Sequence, residues 1–123
     1  MALEVLLVDD SAIMRGAIRD MLRTVPGCIV VGEGANGFEA LELARTLQPN
    51  LIVMDIQMPL MRGLEALRLL KSERTSAQVV LVTAVLEAEV REAALSYGAI
   101  DCLEKGADLW DNLTTLVSAL SNS

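Results

Sequence analysis

The chain has 123 residues, 53% of them hydrophobic and only 2% aromatic, so it is a globular chain whose core is built from aliphatic side chains, and disorder is not expected. Its net charge of −7 argues against a nucleic-acid surface, and the lack of histidine removes His-based catalysis and His metal ligation. No apolar stretch approaches the roughly 20 residues of a membrane span, and Met1-Ala2-Leu3-Glu4 lacks the basic start of a signal peptide. Cys28 and Cys102 each lie in an apolar run and form no CxxC pair, which reads as reduced core thiols and a cytoplasmic location.

In chain order, the first apolar run, Glu4–Val8, predicts a strand, and a helix follows with Met14, Ala17, Ile18, Met21, Leu22 and Val25 inward and Arg15, Arg19 and Arg23 outward. Cys28–Val31 predicts the second strand, and residues 37–47 a helix with Leu41 and Ala44 inward. Leu51–Met54 is the third strand, followed by a helix at about Leu64–Ser72 with Leu64, Leu67 and Leu70 inward. Val79–Val82 is the fourth strand, and the helix at about Glu87–Tyr97 carries Val90, Ala93, Ala94 and Tyr97. Ile100–Leu103 is the fifth strand, and Leu109–Leu120 the last helix, with Leu109, Leu113, Leu116, Val117 and Leu120. Each strand is apolar almost throughout, as expected when both faces are covered.

Ser11 and Asn36 are suited to N-caps. Pro26-Gly27, Pro49-Asn50 and Gly98 mark ends of helices, and Ser121-Asn122-Ser123 is expected to fray. Strict β-α alternation predicts an α/β fold: a (βα)5 doubly wound, five-stranded parallel sheet with helices on both faces, forming one domain over residues 1–123.

Open parallel sheets bind ligands beyond the carboxyl ends of their strands. The predicted strands end there in Asp9-Asp10, Asp55, Thr83-Ala84 and Glu104-Lys105. Carboxylates brought so close repel one another unless a hard cation compensates them. Mg2+ suits such oxygens and shares its shell with phosphate; Mn2+ would serve similarly. One carboxylate is then placed to attack phosphorus, with Lys105 neutralising charge and Thr83 donating to the new group. Singly, each residue has an ordinary explanation as a cap, a turn residue or a solvated charge. Their convergence on one sheet edge does not.

The segments Val5-Leu6-Leu7-Val8-Asp9-Asp10-Ser11, Leu51-Ile52-Val53-Met54-Asp55-Ile56-Gln57-Met58-Pro59, Val82-Thr83-Ala84 and Leu103-Glu104-Lys105 resemble the receiver domain of two-component response regulators over nearly the whole chain. The resemblance implies a flavodoxin-like strand order 2-1-3-4-5. It implies that Asp55 accepts a phosphoryl group from a sensor histidine kinase. Asp10 would bind Mg2+ directly, Asp9 mainly through water, and the backbone carbonyl of Gln57 would complete the protein ligands. Thr83, with Ala84 beside it, would be the switch residue and Lys105 the phosphate-binding lysine. The expected role is regulatory, with self-catalysed phosphotransfer and dephosphorylation only, and with phosphorylation changing the face of the fourth helix, fifth strand and fifth helix.

Three positions depart from the usual pattern. The switch aromatic, three residues before the lysine, is Cys102 here, and Tyr97 is not expected to replace it from a helix end with core spacing. Arg62 replaces an acid in Pro59-Leu60-Met61-Arg62-Gly63, and Gly106-Ala107 follow the lysine where proline is common. Lys105-Gly106-Ala107, Val30-Val31-Gly32-Glu33 and Ala35-Asn36-Gly37 resemble receivers of the LuxR-type (NarL/FixJ-like) subfamily. That likeness implies homodimerisation on phosphorylation and a helix-turn-helix output domain outside this chain. Ile13 and Trp110 lie off their helices' apolar stripes and are candidate kinase and dimer contacts, with helix-edge packing as the alternative for Ile13. Two other functions remain: a degenerate receiver acting independently of phosphorylation, and an aspartyl-phosphate phosphatase. The second fits poorly, because the lone acid lies on the third strand and no Asp-x-Asp follows the first.

Overall fold

A computed structural model describes residues 2–122. The chain alternates strands and helices in the order β1 Leu3–Val8, α1 Ala12–Leu22, β2 Cys28–Gly34, α2 Gly37–Leu47, β3 Leu51–Asp55, α3 Gly63–Ser72, β4 Gln78–Thr83, α4 Ala88–Ser96, β5 Asp101–Glu104 and α5 Leu109–Ser121. All strand pairs are parallel, in the order β2-β1-β3-β4-β5. This is the flavodoxin-like fold expected.

Alternation along each strand divides the core in two. Leu6, Val8, Ile52, Met54 and Leu81 meet Ala40, Leu41 and Ala44 of α2, Ala66, Leu67 and Leu70 of α3 and Ala94 of α4. On the opposite face Val5, Leu7, Val53, Val80, Val82 and Leu103 meet Ile18 and Leu22 of α1 and Leu109, Leu113 and Val117 of α5. β1 and β3, central in the order, are covered on both sides and have almost no exposed apolar surface.

The predicted caps form. The Ser11 side chain accepts from the Met14 N–H and that of Asn36 from the Glu39 N–H, while the Glu39 carboxylate accepts from the N–H of Ala35, the residue before the cap of α2. Asn36→Ala is therefore expected to lower stability by about 1 kcal/mol, read as a shifted urea midpoint with unchanged slope. Gly98 follows α4 at φ +104° as expected, but α2 ends on Gln48 in the left-handed region, one residue before Pro49.

Three expectations are corrected. Ser121 is the last residue of α5, not a frayed tail; its hydroxyl donates to the Ser118 carbonyl. Asn122 caps that helix, and Ser123, like Met1, lies outside the described residues. Tyr97 does not join the core: it is 38% exposed, with the Arg68 guanidinium 5.1 Å from its ring centre, and of α4 only Ala94 is buried. Arg15 and Arg19 are not simply outward, because Glu33 at the end of β2 draws both guanidinium groups against the sheet edge.

Candidate functional site

Parallel pairing brings the carboxyl ends of β1, β3, β4 and β5 level. Val8 pairs with Met54, Asp55 with Val82 and Thr83 with Glu104, so the residues that follow emerge at one edge. There Asp9, Asp10 and Asp55 each place a carboxylate oxygen within 4.8 Å of the others. Asp9 and Asp55 are 3% and 5% exposed, whereas Asp10 is open to solvent. The set is thus a half-sunken acid cluster with one wet side.

Lys105 reaches into it. Its Nζ lies 2.9 Å from Asp9 Oδ2 and 3.2 Å from Asp55 Oδ2. The other oxygen of each acid is held by the local backbone: Asp9 Oδ1 accepts from the Ser11 N–H at 2.9 Å and Asp55 Oδ1 from the Gln57 N–H at 3.3 Å. Both contacts span two residues, so the turn after each strand orients the acid that ends it. Burial raises the pKa of Asp55; Lys105 opposes the rise and Asp9 adds to it. For Lys105, burial works against the charged form, but the hydrogen bond to Asp9 and the charges of both acids outweigh it and raise its pKa. One ammonium does not fully compensate this cluster. Three carboxylates with an open side match the donor set of a hard divalent cation that retains several waters.

Of the predicted residues, the sheet edge brings Asp9, Asp10, Asp55, Thr83 and Lys105 together. Thr83 is buried, but its hydroxyl donates to the Val85 carbonyl at 3.3 Å, and Ala84 is exposed. Gln57 is exposed, and its side chain accepts from Arg62 at 3.4 Å, so the arginine in place of an acid lies along the loop that follows Asp55. Cys102 is fully buried in the core under α4, with its thiol pKa raised by burial. Ile13 is 87% exposed and Trp110 39%, which removes helix-edge packing as the explanation for Ile13.

Two contributors were missed in the sequence. Arg15 donates from Nη1 to the Asp9 carbonyl at 2.6 Å and from Nε to Glu33, whose carboxyl is held below its usual range chiefly by its hydrogen bond from Arg19. Together they brace the turn that carries Asp9 and Asp10. Glu104 accepts from the Leu86 N–H at 2.7 Å, tying β5 to the loop after β4. In sequence, the only signal for Glu104 was its place beside Lys105 at a strand end, where neighbours face opposite ways.

Fold and site together define a doubly wound α/β domain with an acid-lysine centre at the carboxyl edge of its sheet. The chain belongs to the response regulator receiver domain family, whose model matches residues 5–117. It is 38% identical over 105 residues to a protein-glutamate methylesterase/protein-glutamine glutaminase of Pyrococcus horikoshii, covering 84% of this chain and 28% of that protein. It is 44% identical over 103 residues to another from Methanosarcina acetivorans, covering 81% and 29%. The chain thus spans less than a third of the length of each of these two relatives. Among solved structures, the response regulator domain of Thermotoga maritima CheB superposes with a TM-score of 0.91 at 32% identity, covering 100% and 98% of the two chains. A LuxR-family two-component response regulator from Aurantimonas gives 0.91 at 29%, covering 99% and 86%. Both output types are therefore among its relatives, and the LuxR-type likeness is not distinctive.

Proposed function

We propose that this chain is a phosphorylation switch in which Asp55 accepts a phosphoryl group from a sensor histidine kinase, with Mg2+ held by Asp9, Asp10, Asp55 and the Gln57 carbonyl. The observation that carries this reading is the acid cluster with Lys105 bridging Asp9 and Asp55. Asp55 Oδ2 attacks phosphorus, the bond from phosphorus to the donor atom breaks, and the aspartyl-phosphate forms without a proton being removed from the nucleophile. Lys105 moves from the carboxylate to an oxygen of the new phosphoryl group, where its charge is worth more than on the ground-state acid. The bound cation would offset the charge on the same oxygens. Thr83 turns its hydroxyl from Val85 to the phosphoryl group, and a pre-existing equilibrium shifts. Incubation with acetyl phosphate and Mg2+ is expected to add one phosphoryl mass, and chelation to prevent it; no gain with Mg2+ would overturn the reading.

Mg2+ binding needs ionised carboxylates, and the pKa of Asp55 is raised. Mg2+ affinity is therefore expected to weaken as pH falls through that raised value, starting at a higher pH than for an ordinary carboxylate. At ten times its dissociation constant Mg2+ would add about 1.4 kcal/mol at neutral pH, a rise of roughly 5 °C in Tm. The shift should shrink in acid and be much reduced in Asp55→Asn.

Two kinds of output fit the comparisons. The curated relatives support a methylesterase-type partner domain, and solved LuxR-family neighbours a helix-turn-helix domain with dimerisation on phosphorylation. The higher identity of the methylesterases favours the first. Joining the chain to each output domain and assaying ester hydrolysis and operator binding with and without acetyl phosphate distinguishes them.

A further inference from the structure

The Val85–Leu86 peptide group is gripped at both ends. Its carbonyl accepts from the Thr83 hydroxyl at 3.3 Å, and its N–H donates to Glu104 Oε2 at 2.7 Å. Both gripping residues lie at the ends of the strands that form the site. Thr83 pairs in register with Glu104, and the Lys105 N–H donates to the Thr83 carbonyl at 2.8 Å. The backbone beneath the loop is therefore fixed, while the 85–86 peptide is held, among the described residues, by the side chains of Thr83 and Glu104. Beyond it, Arg91 of α4 donates to the Cys102 carbonyl and pairs with Asp101, each at 2.8 Å, so the helix is anchored to β5 independently of the loop. The gripped peptide carries Val85, which is 68% exposed. Val85 lines a groove of about 520 Å³ together with Ile56, Leu64, Thr83 and Val90.

We propose that Glu104 is the positioning residue of the switch. It holds the 85–86 peptide so that its carbonyl engages Thr83, and it serves as the pivot about which that peptide turns when the Thr83 hydroxyl leaves for the phosphoryl group. The signal then leaves the site as a rotation of one peptide carrying Val85, without an aromatic at position 102. The pivot rests on the phosphoacceptor reading above; the resting grip does not.

The test compares Glu104→Ala and Glu104→Gln with wild type, all checked for equal folding by thermal melts. In the unphosphorylated chain, hydrogen exchange at the Leu86 amide is expected to quicken roughly fivefold in Glu104→Ala, the effect of one lost, partly solvated hydrogen bond. It should stay near wild type in Glu104→Gln, whose amide oxygen still accepts. Phosphorylation by acetyl phosphate should be about threefold faster in Glu104→Ala, because Thr83 is no longer presented with an oriented carbonyl, and unchanged in Glu104→Gln. Leu86 exchange within twofold of wild type in Glu104→Ala overturns the grip. A glutamine variant as fast as the alanine one overturns it too, by tracing the effect to lost charge beside Lys105. Quickened exchange with unchanged phosphorylation overturns the pivot. If wild type takes up no phosphoryl group, the functional reading and the pivot both fail, and Leu86 exchange alone still decides the grip.

Discussion

Gly63→Ala is expected to destabilise the protein by about 3 kcal/mol and to displace the Asp55 turn, although alanine is normally the better helix residue by about 1 kcal/mol. Gly63 opens α3, is buried, and donates its N–H to the Ile56 carbonyl at 2.9 Å. A Cβ there would be driven into the Asp55 carbonyl oxygen and would lie 2.9 Å from the Ile56 Cα and 3.1 Å from the Asp55 carbonyl carbon. These are backbone atoms of the strand end that carries the nucleophile, so they yield only if Asp55 moves. Gly16 is the contrast. Inside α1, its Cβ would meet only the end of the Arg19 side chain at 3.5 Å, and Gly16→Ala should stabilise by about 0.5–1 kcal/mol. Urea unfolding of both variants gives shifts of opposite sign. If Gly63→Ala were as stable as wild type, the close approach of α3 to β3 would be wrong.

The second large effect is Lys105→Met. It leaves Asp9 and Asp55, 3% and 5% exposed, without the ammonium that bridges them. Stranding buried charges costs about 3 kcal/mol or more when they stay ionised; proton uptake and the open side of the cluster reduce this to roughly 2 kcal/mol at neutral pH without metal. The penalty depends on pH with a definite sign. Burial already raises the folded pKa of Asp55 above its unfolded value, and loss of Lys105 raises it further. The folded state then binds more protons than the unfolded state as pH falls through that range, so the variant regains stability in acid. Melts of wild type and variant from neutral to acid pH, in chelator, should converge at the acid end. Mg2+ should also recover part of the loss. A pH-independent penalty would mean that Lys105 acts by packing.

The sheet and the acid cluster were legible because both rest on local patterns. A strand covered on both faces is apolar throughout, as in Leu51–Met54, and its end is marked by the first acid. Helix starts were legible where a side chain caps them, at Ser11 and Asn36, and less so at α4, where Glu87 makes no side-chain cap. Strand order came from resemblance, since apolar runs do not say which neighbours pair. Tyr97 misled because its helical spacing matches the core, yet α4 turns only Ala94 fully inward and the tyrosine pairs with Arg68 instead. Arg15 and Glu104 were missed for a common reason. A long charged side chain can reach a distant backbone group, and sequence spacing reports where its Cα lies, not where its charge arrives. The direction of the Thr83 hydroxyl is likewise set by the fold of the next loop.

Asp55 is the proposed carrier of the phosphoryl group. The most direct measurement is localisation: treat the protein with acetyl phosphate and Mg2+, digest it under mildly acidic conditions, and map the added mass by fragmentation. One phosphoryl group is expected on the segment containing Asp55, and none in Asp55→Asn. A phosphoryl group on Asp9 or Asp10, on a hydroxyl residue, or retained at full yield in Asp55→Asn would contradict it.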